Sequence, residues 1–122
     1  MASIGEASFT PVPESVPEAR HFAIDRLEQL GCPGATVETA ALLVSELASN
    51  AVRHAATPFH VLVGRSEHTV EVAVCDSGAG VPAVRDPDAT GGRGLTIVEA
   101  FARDWGVHHQ RGGKAVYFHL PC

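Results

Sequence analysis

Glu46 and Asn50 stand one helical turn apart in a segment whose apolar residues recur at helical spacing. A carboxylate and an amide oxygen projecting together suit proton abstraction and the holding of a hard cation. Glu46, Asn50 and Arg53 fall opposite the apolar stripe, so an ordinary solvated helix face is the competing reading. Leu42 and Leu43 flank that face on either side, which argues against its being simply open to water.

A second cluster is Asp76-Ser-Gly-Ala-Gly80. Asp76 keeps the side-chain parity of Val70, Val72 and Val74, so it points to the core side at a strand end. A carboxylate there is costly unless hydrogen-bonded. It either caps a turn or accepts a hydrogen bond from a ligand. Gly78 and Gly80 lack side chains where a flat group could approach the backbone. A third cluster, Gly91-Gly-Arg-Gly94, runs directly into the apolar segment Leu95-Thr-Ile-Val98. Glycines opening a helix leave backbone N–H groups at the positive end of the helix dipole, an anion site suited to phosphate. A flexible linker is the alternative, disfavoured by the immediate helix start and by Arg93, whose charge suits an anion.

The elements that must position these clusters are readable in outline. Residues up to about 12 form an arm or first strand, limited by Pro11 and Pro13. Ser15-x-x-Glu18 reads as a capping box opening a helix over about 16–30, stopped by Gly31-Cys-Pro-Gly34. The second helix, over about 37–55, has the strongest periodicity: Val37, Ala40, Ala41, Val44, Leu47, Ala48, Ala51, Val52 and Ala55 share one broad face. Strands follow at 59–65 and 69–75 around the turn Ser66-Glu-His68. After the segment Val81–Thr90, a third helix is expected over 94–103. A hairpin of 105–110 and 114–120 around Arg111-Gly-Gly113 closes the chain. Helices beside mainly antiparallel strands predict an α+β, two-layer sandwich with about three helices on one sheet.

At 122 residues the chain is the size of one domain, spanning 1–122, and its 45% apolar and 19% charged residues are ordinary for a globular protein. The net charge of −5 and the absence of a Lys/Arg run argue against nucleic acid and anionic membranes as direct partners. No apolar run approaches a membrane span and no leader is visible, so the chain reads as complete and cytoplasmic. Three cysteines, Cys32, Cys75 and Cys122, are an odd number without metal-ligand spacing, and free thiols in a reducing compartment are expected. The histidines carry no ligand spacing, and Phe101 and Trp105 read as core.

In this order and spacing, the three clusters resemble the three boxes of the GHKL (Bergerat-fold) ATPases. Glu46-Leu-Ala-Ser-Asn-Ala-Val-Arg-His54 and Gly92-Arg-Gly-Leu-Thr-Ile-Val98 look most like the bacterial anti-sigma-factor serine/threonine kinases. The resemblance runs from about Pro13 to Leu120. It implies ATP and Mg²⁺ as cofactors. Glu46 would be the general base, Asn50 the Mg²⁺ ligand, and Asp76 the acceptor for the adenine amine. Gly78 and Gly80 would let base and ribose lie close, and Gly92, Arg93 and Gly94 would cradle the phosphates. Arg53, Val81, Gly91, Leu95 and Thr96 complete the implied binding set. It further implies a homodimer that binds a sigma factor and phosphorylates a STAS-type anti-sigma antagonist. Val81–Thr90 is short for a lid, and Asp86 and Asp88 oppose only Arg85. That bears on turnover more than on binding and keeps a non-catalytic ATP-binding regulator as the alternative. A histidine kinase would need a helical hairpin for which the chain has no room, and gyrase- or chaperone-type ATPases would need further domains. A reading in which the glycines are merely loops stays open.

Overall fold

The computed structural model describes residues 2–55, 57–76, 104–110 and 113–122. In chain order these form β1 (Ala2–Phe9), α1 (Ser15–Gln29), α2 (Gly34–Asn50) with a π-helical turn at Ala51–Ala55, β2 (Phe59–Ser66), β3 (Thr69–Asp76), β4 (Asp104–Gln110) and β5 (Gly113–Pro121). The strands make one five-stranded sheet in the order β1-β2-β3-β5-β4, and every pairing is antiparallel. The expected α+β sandwich is therefore present, with two α-helices among the described residues. The third expected helix, over 94–103, lies outside them.

The sheet face that meets the helices follows from period-two alternation. Phe59, Val61 and Val63 of β2, Val70, Val72 and Val74 of β3, and Val116, Phe118 and Leu120 of β5 are all buried. Trp105 and Val107 of β4 pack against the same core. From the helices come Ala19, Ala23 and Leu27 of α1 and Ala40, Leu43, Val44, Leu47 and Ala48 of α2. α1 packs on α2 and over β1 and β2, while α2 covers β3 and β5. Each fully buried Val, Leu or Phe contributes about 1.5–3 kcal/mol, and these side chains are the main favourable contribution to folding.

Local details correct the sequence reading at several points. Ser15 lies inside α1 and is buried, and the N-cap position falls to Glu14 without a side-chain cap, so the expected capping box does not form. α2 starts at Gly34, after Pro33, because proline's fixed φ suits a helix entrance. Leu43, expected beside the polar face, is fully buried, whereas Leu42 is exposed. The end of α1 is as expected: Gly31 is left-handed (φ 75°), its N–H bonds Glu28 O, and Cys32 N–H bonds Leu27 O. This is a Schellman stop.

The cysteine expectation is overturned. Cys32 and Cys122 form a disulfide with Cα atoms 4.8 Å apart across 90 residues of sequence. It joins the α1–α2 turn to the end of β5, where Thr36 Oγ1 donates to Pro121 O (2.6 Å) and Cys122 N–H donates to His68 O (2.9 Å). The disulfide removes the cysteine argument for a reducing compartment. Cys75 alone is free. It is buried, and burial, then the charges of Asp76 and Glu6, push its thiol up to about 11. Such a thiol is unreactive near neutrality.

On the opposite sheet face, Glu71, His119 and Asp104 are direct partners across β3, β5 and β4. His119 bonds Glu71 Oε1 through Nε2 (2.8 Å) and Asp104 Oδ1 through Nδ1, tying the edge strand β4 to the sheet. Burial lowers the His119 pKa, but the hydrogen bonds to Glu71 and Asp104 and their charges outweigh it, and the net shift is upward from 6.5.

Two outcomes follow for stability. A folded pKa above the unfolded one gives a contribution complete below about pH 6.5 and lost as pH rises through the raised folded value. The urea-midpoint gap between wild type and His119→Asn is therefore expected to shrink from about pH 6 to about pH 8.5, the reference histidine pKa lying between them. A gap constant over that range would exclude the charged clasp. Reduction of the Cys32–Cys122 bridge is expected to lower stability by up to about 4–5 kcal/mol, the loop-closure figure for a loop of this size. Denaturation of Cys32→Ser should match the reduced wild type and be insensitive to reductant.

Candidate functional site

α2 carries Glu46 and Asn50 near its C-terminal end, one turn apart and both half-buried. These two positions are partly withdrawn from solvent. Asn50 Oδ1 is buried and has no hydrogen-bond partner, one of two such side-chain atoms among the described residues. An unsatisfied buried acceptor costs about 1–3 kcal/mol. Directly after Asn50 the helix widens into the π turn, a local distortion frequent at functional sites. Arg53, within that turn, is exposed.

The chain then enters β2 at Phe59, whose cross-strand partner is Asp76 at the end of β3. Asp76 in turn pairs with Lys114 at the start of β5. The end of the sheet entered from α2 is thus the end that presents Asp76 and Lys114. The Asp76 side chain is 8% exposed and that of Lys114 13%, and Lys114 Nζ donates to Asp76 Oδ1 at 3.0 Å. As its strand parity requires, Asp76 follows Val70, Val72 and Val74 on the helix side. The structure therefore brings Glu46 and Asn50 together on one helix, and sets Asp76 with Lys114 at the sheet end where β2 begins. Gly78, Gly80, Val81, Gly91, Gly92, Arg93, Gly94, Leu95 and Thr96 lie outside the described residues.

Lys114 was not among the sequence candidates, because a strand lysine ordinarily reads as solvated. The signal was its parity: Lys114 alternates with Val116, Phe118 and Leu120, which all face the core.

The family model for the histidine kinase-like ATPase domain matches residues 9–120. The chain belongs to that family. Among solved structures, this ATPase domain is similar to the RsbU and RsbW domains of Rv1364c from Mycobacterium tuberculosis, at 18% identity and a TM-score of 0.71. That match covers 95% of this chain and 32% of the other, so the domain spans about a third of that relative. It is also similar to the histidine kinase domain of the blue-light activated histidine kinase from Erythrobacter litoralis EL346. There the identity is 24% and the TM-score 0.51, over 98% of this chain and 66% of that one. At these identities the likeness shows the fold. No curated protein sequence matches the chain significantly.

The residues present suit the nucleotide and cation that an ATPase domain implies. An amide oxygen is a hard donor of the kind Mg²⁺ takes, and Asn50 Oδ1 is buried and unsatisfied where such an ion would satisfy it. The sheltered carboxylate of Asp76 is of the acceptor type that would suit a base amine.

If the Asn50 oxygen awaits a ligand, removing it relieves the ligand-free fold. Asn50→Leu is expected to raise stability by about 1–3 kcal/mol without ligand while abolishing the stabilisation that Mg²⁺ and nucleotide give wild type. Urea titrations with and without Mg·ATP measure both. A sharp loss of ligand-free stability would mean that solvent already satisfies the amide.

Proposed function

We propose that the chain is an ATP-binding regulator of the anti-sigma type that transfers phosphate from ATP to a serine or threonine of an antagonist protein. The observation that carries this reading is the unsatisfied, buried Asn50 oxygen one turn after Glu46, in a fold whose β3 ends in the sheltered carboxylate of Asp76. The likeness to a structure containing an RsbW domain supports the choice of branch.

In this reading Asn50 holds Mg²⁺, which neutralises phosphate charge when bound. Asp76 accepts from the exocyclic amine of adenine. Gly78 and Gly80 admit the base and ribose, and Val81, Arg53, Gly91, Leu95 and Thr96 complete the pocket. The backbone of Gly92 and Gly94, with the Arg93 guanidinium, receives the phosphates. Glu46 accepts the hydroxyl proton as the substrate oxygen bonds to the γ-phosphorus and the bond to ADP breaks. No redox or external acid is needed.

The partners in this proposal are a sigma factor, held while ATP is bound, and a STAS-type antagonist that displaces it and becomes phosphorylated. The working unit is a homodimer in the cytoplasm, without direct contact to nucleic acid. No described helix is long and apolar enough to cross a membrane. The acidic, short segment between the glycine clusters favours one alternative, an ATP-ordered binding protein that transfers no phosphate.

Incubation of a native-cell lysate with γ-labelled ATP separates the two. Wild type is expected to label a small protein on serine or threonine, and Glu46→Gln to reduce the rate by at least about 100-fold while still binding Mg·ATP. Asp76→Ala is expected to lose binding. Label independent of Glu46, or no label with intact ATP binding, would replace the kinase by the non-catalytic regulator. Absence of ATP binding by wild type would remove both readings.

A further inference from the structure

Lys114 and Asp76 are an oddity of packing. The three pairs that precede theirs on the same face of β3 and β5 are Val74–Val116, Val72–Phe118 and Val70–Leu120, all apolar and buried. A fourth apolar pair would continue that core. Burying an ammonium and a carboxylate instead costs desolvation that their mutual attraction does not reliably return, and apolar replacements of such pairs are often neutral or stabilising. The pair is thus poorly accounted for as a stability device.

Its hydrogen-bonding capacity points elsewhere. An ammonium has three donors, and Asp76 Oδ1 takes one of them. The carboxylate offers about four acceptor positions, and Lys114 donates to one of its two oxygens. The two groups therefore set an acceptor and a charged donor side by side, 3.0 Å apart, at a sheltered sheet end that leads directly into Ser77-Gly78-Ala79-Gly80. Adenine presents the complementary pattern on one edge: the amine at C6 donates and the adjacent ring nitrogen N1 accepts. A 6-oxo purine in the same position sets its carbonyl against the carboxylate and its N1–H against the ammonium, and both contacts are repulsive.

Resting on the ATP-binding reading above, we propose that Lys114 is a second base-reading residue, donating from Nζ to N1 of adenine while Asp76 accepts from the C6 amine. Lys114 sets base selectivity in addition to holding the Asp76 carboxylate in place. Selectivity for adenine then comes from two neighbouring strands, and neither residue alone is sufficient.

The test compares ATP with 1-deaza-ATP, in which C–H replaces N1, by calorimetry on wild type, Lys114→Met and Lys114→Arg. Wild type is expected to bind ATP about 10- to 100-fold more tightly than the analogue, the range for a charge-assisted hydrogen bond. Lys114→Met is expected to bind both equally, with ATP weakened and the analogue unchanged, and Lys114→Arg to retain a preference for ATP. Equal discrimination by wild type and Lys114→Met overturns the proposal, as does tighter ATP binding by Lys114→Met, which would make the lysine a plug. Should Lys114→Met fail to fold, wild type alone remains decisive: no preference for ATP over the analogue overturns the proposal. Failure of wild type to bind either nucleotide overturns the ATP reading itself.

Discussion

β3 pairs with β2 along one edge and with β5 along the other, and its register is held by the burial of Val70, Val72 and Val74 against the helices. A slip by one residue would turn those valines out and bring Glu71 inward. The same register delivers Asp76 to the helix side and sets it opposite both Phe59 and Lys114. The placement of the charged groups at the sheet end is thus a consequence of apolar packing several residues away. Lys114 then holds the carboxylate that this register delivers.

The helix layer supplies the other half of the site by the same kind of remote control. Leu43, Leu47 and Ala48 anchor one face of α2 in the core, which fixes the rotation of the helix about its axis. That rotation decides that Glu46 and Asn50 are half-buried, where the bland alternative would have left them in water. The Arg20–Ser45 hydrogen bond (3.2 Å) adds a polar tie between α1 and α2 one residue before Glu46. The site accordingly combines a rigid support with one group, the Asn50 oxygen, that the folded chain leaves unsatisfied. Such an uncompensated cost is where a ligand contributes most.

Much of this was legible in the sequence because it rests on periodicity. The valines of β2 and β3, the hairpin of β4 and β5 and the apolar stripe of α2 announce their partners' face, if not their partners. Asp76 could be assigned to the helix side from parity alone. What escaped depended on distant contacts. The capping box at Ser15 and Glu18 has the right spacing, but tertiary packing buries Ser15 within the helix. Leu43 sits at the margin of the α2 stripe, where a small rotation decides between core and surface. Cys32 and Cys122 are brought together only by the completed sandwich. Lys114 gains its meaning from Asp76, 38 positions earlier. The glycine clusters at 78–80 and 91–94 were legible as motifs, and they lie outside the described residues.

The bridge between Cys32 and Cys122 also changes what kind of molecule the chain is. From residue 32 to residue 122 the chain is a covalent ring closed through the two sulfurs, from which β1 and α1 extend as a tail. Every candidate residue of the site, from Glu46 to Lys114, is carried by the ring and none by the tail. One break in the backbone anywhere within the ring, including the stretch between the glycine clusters, would leave the two pieces joined through sulfur. The ring could then be opened there to fuse another sequence, with the candidate residues still held in one molecule.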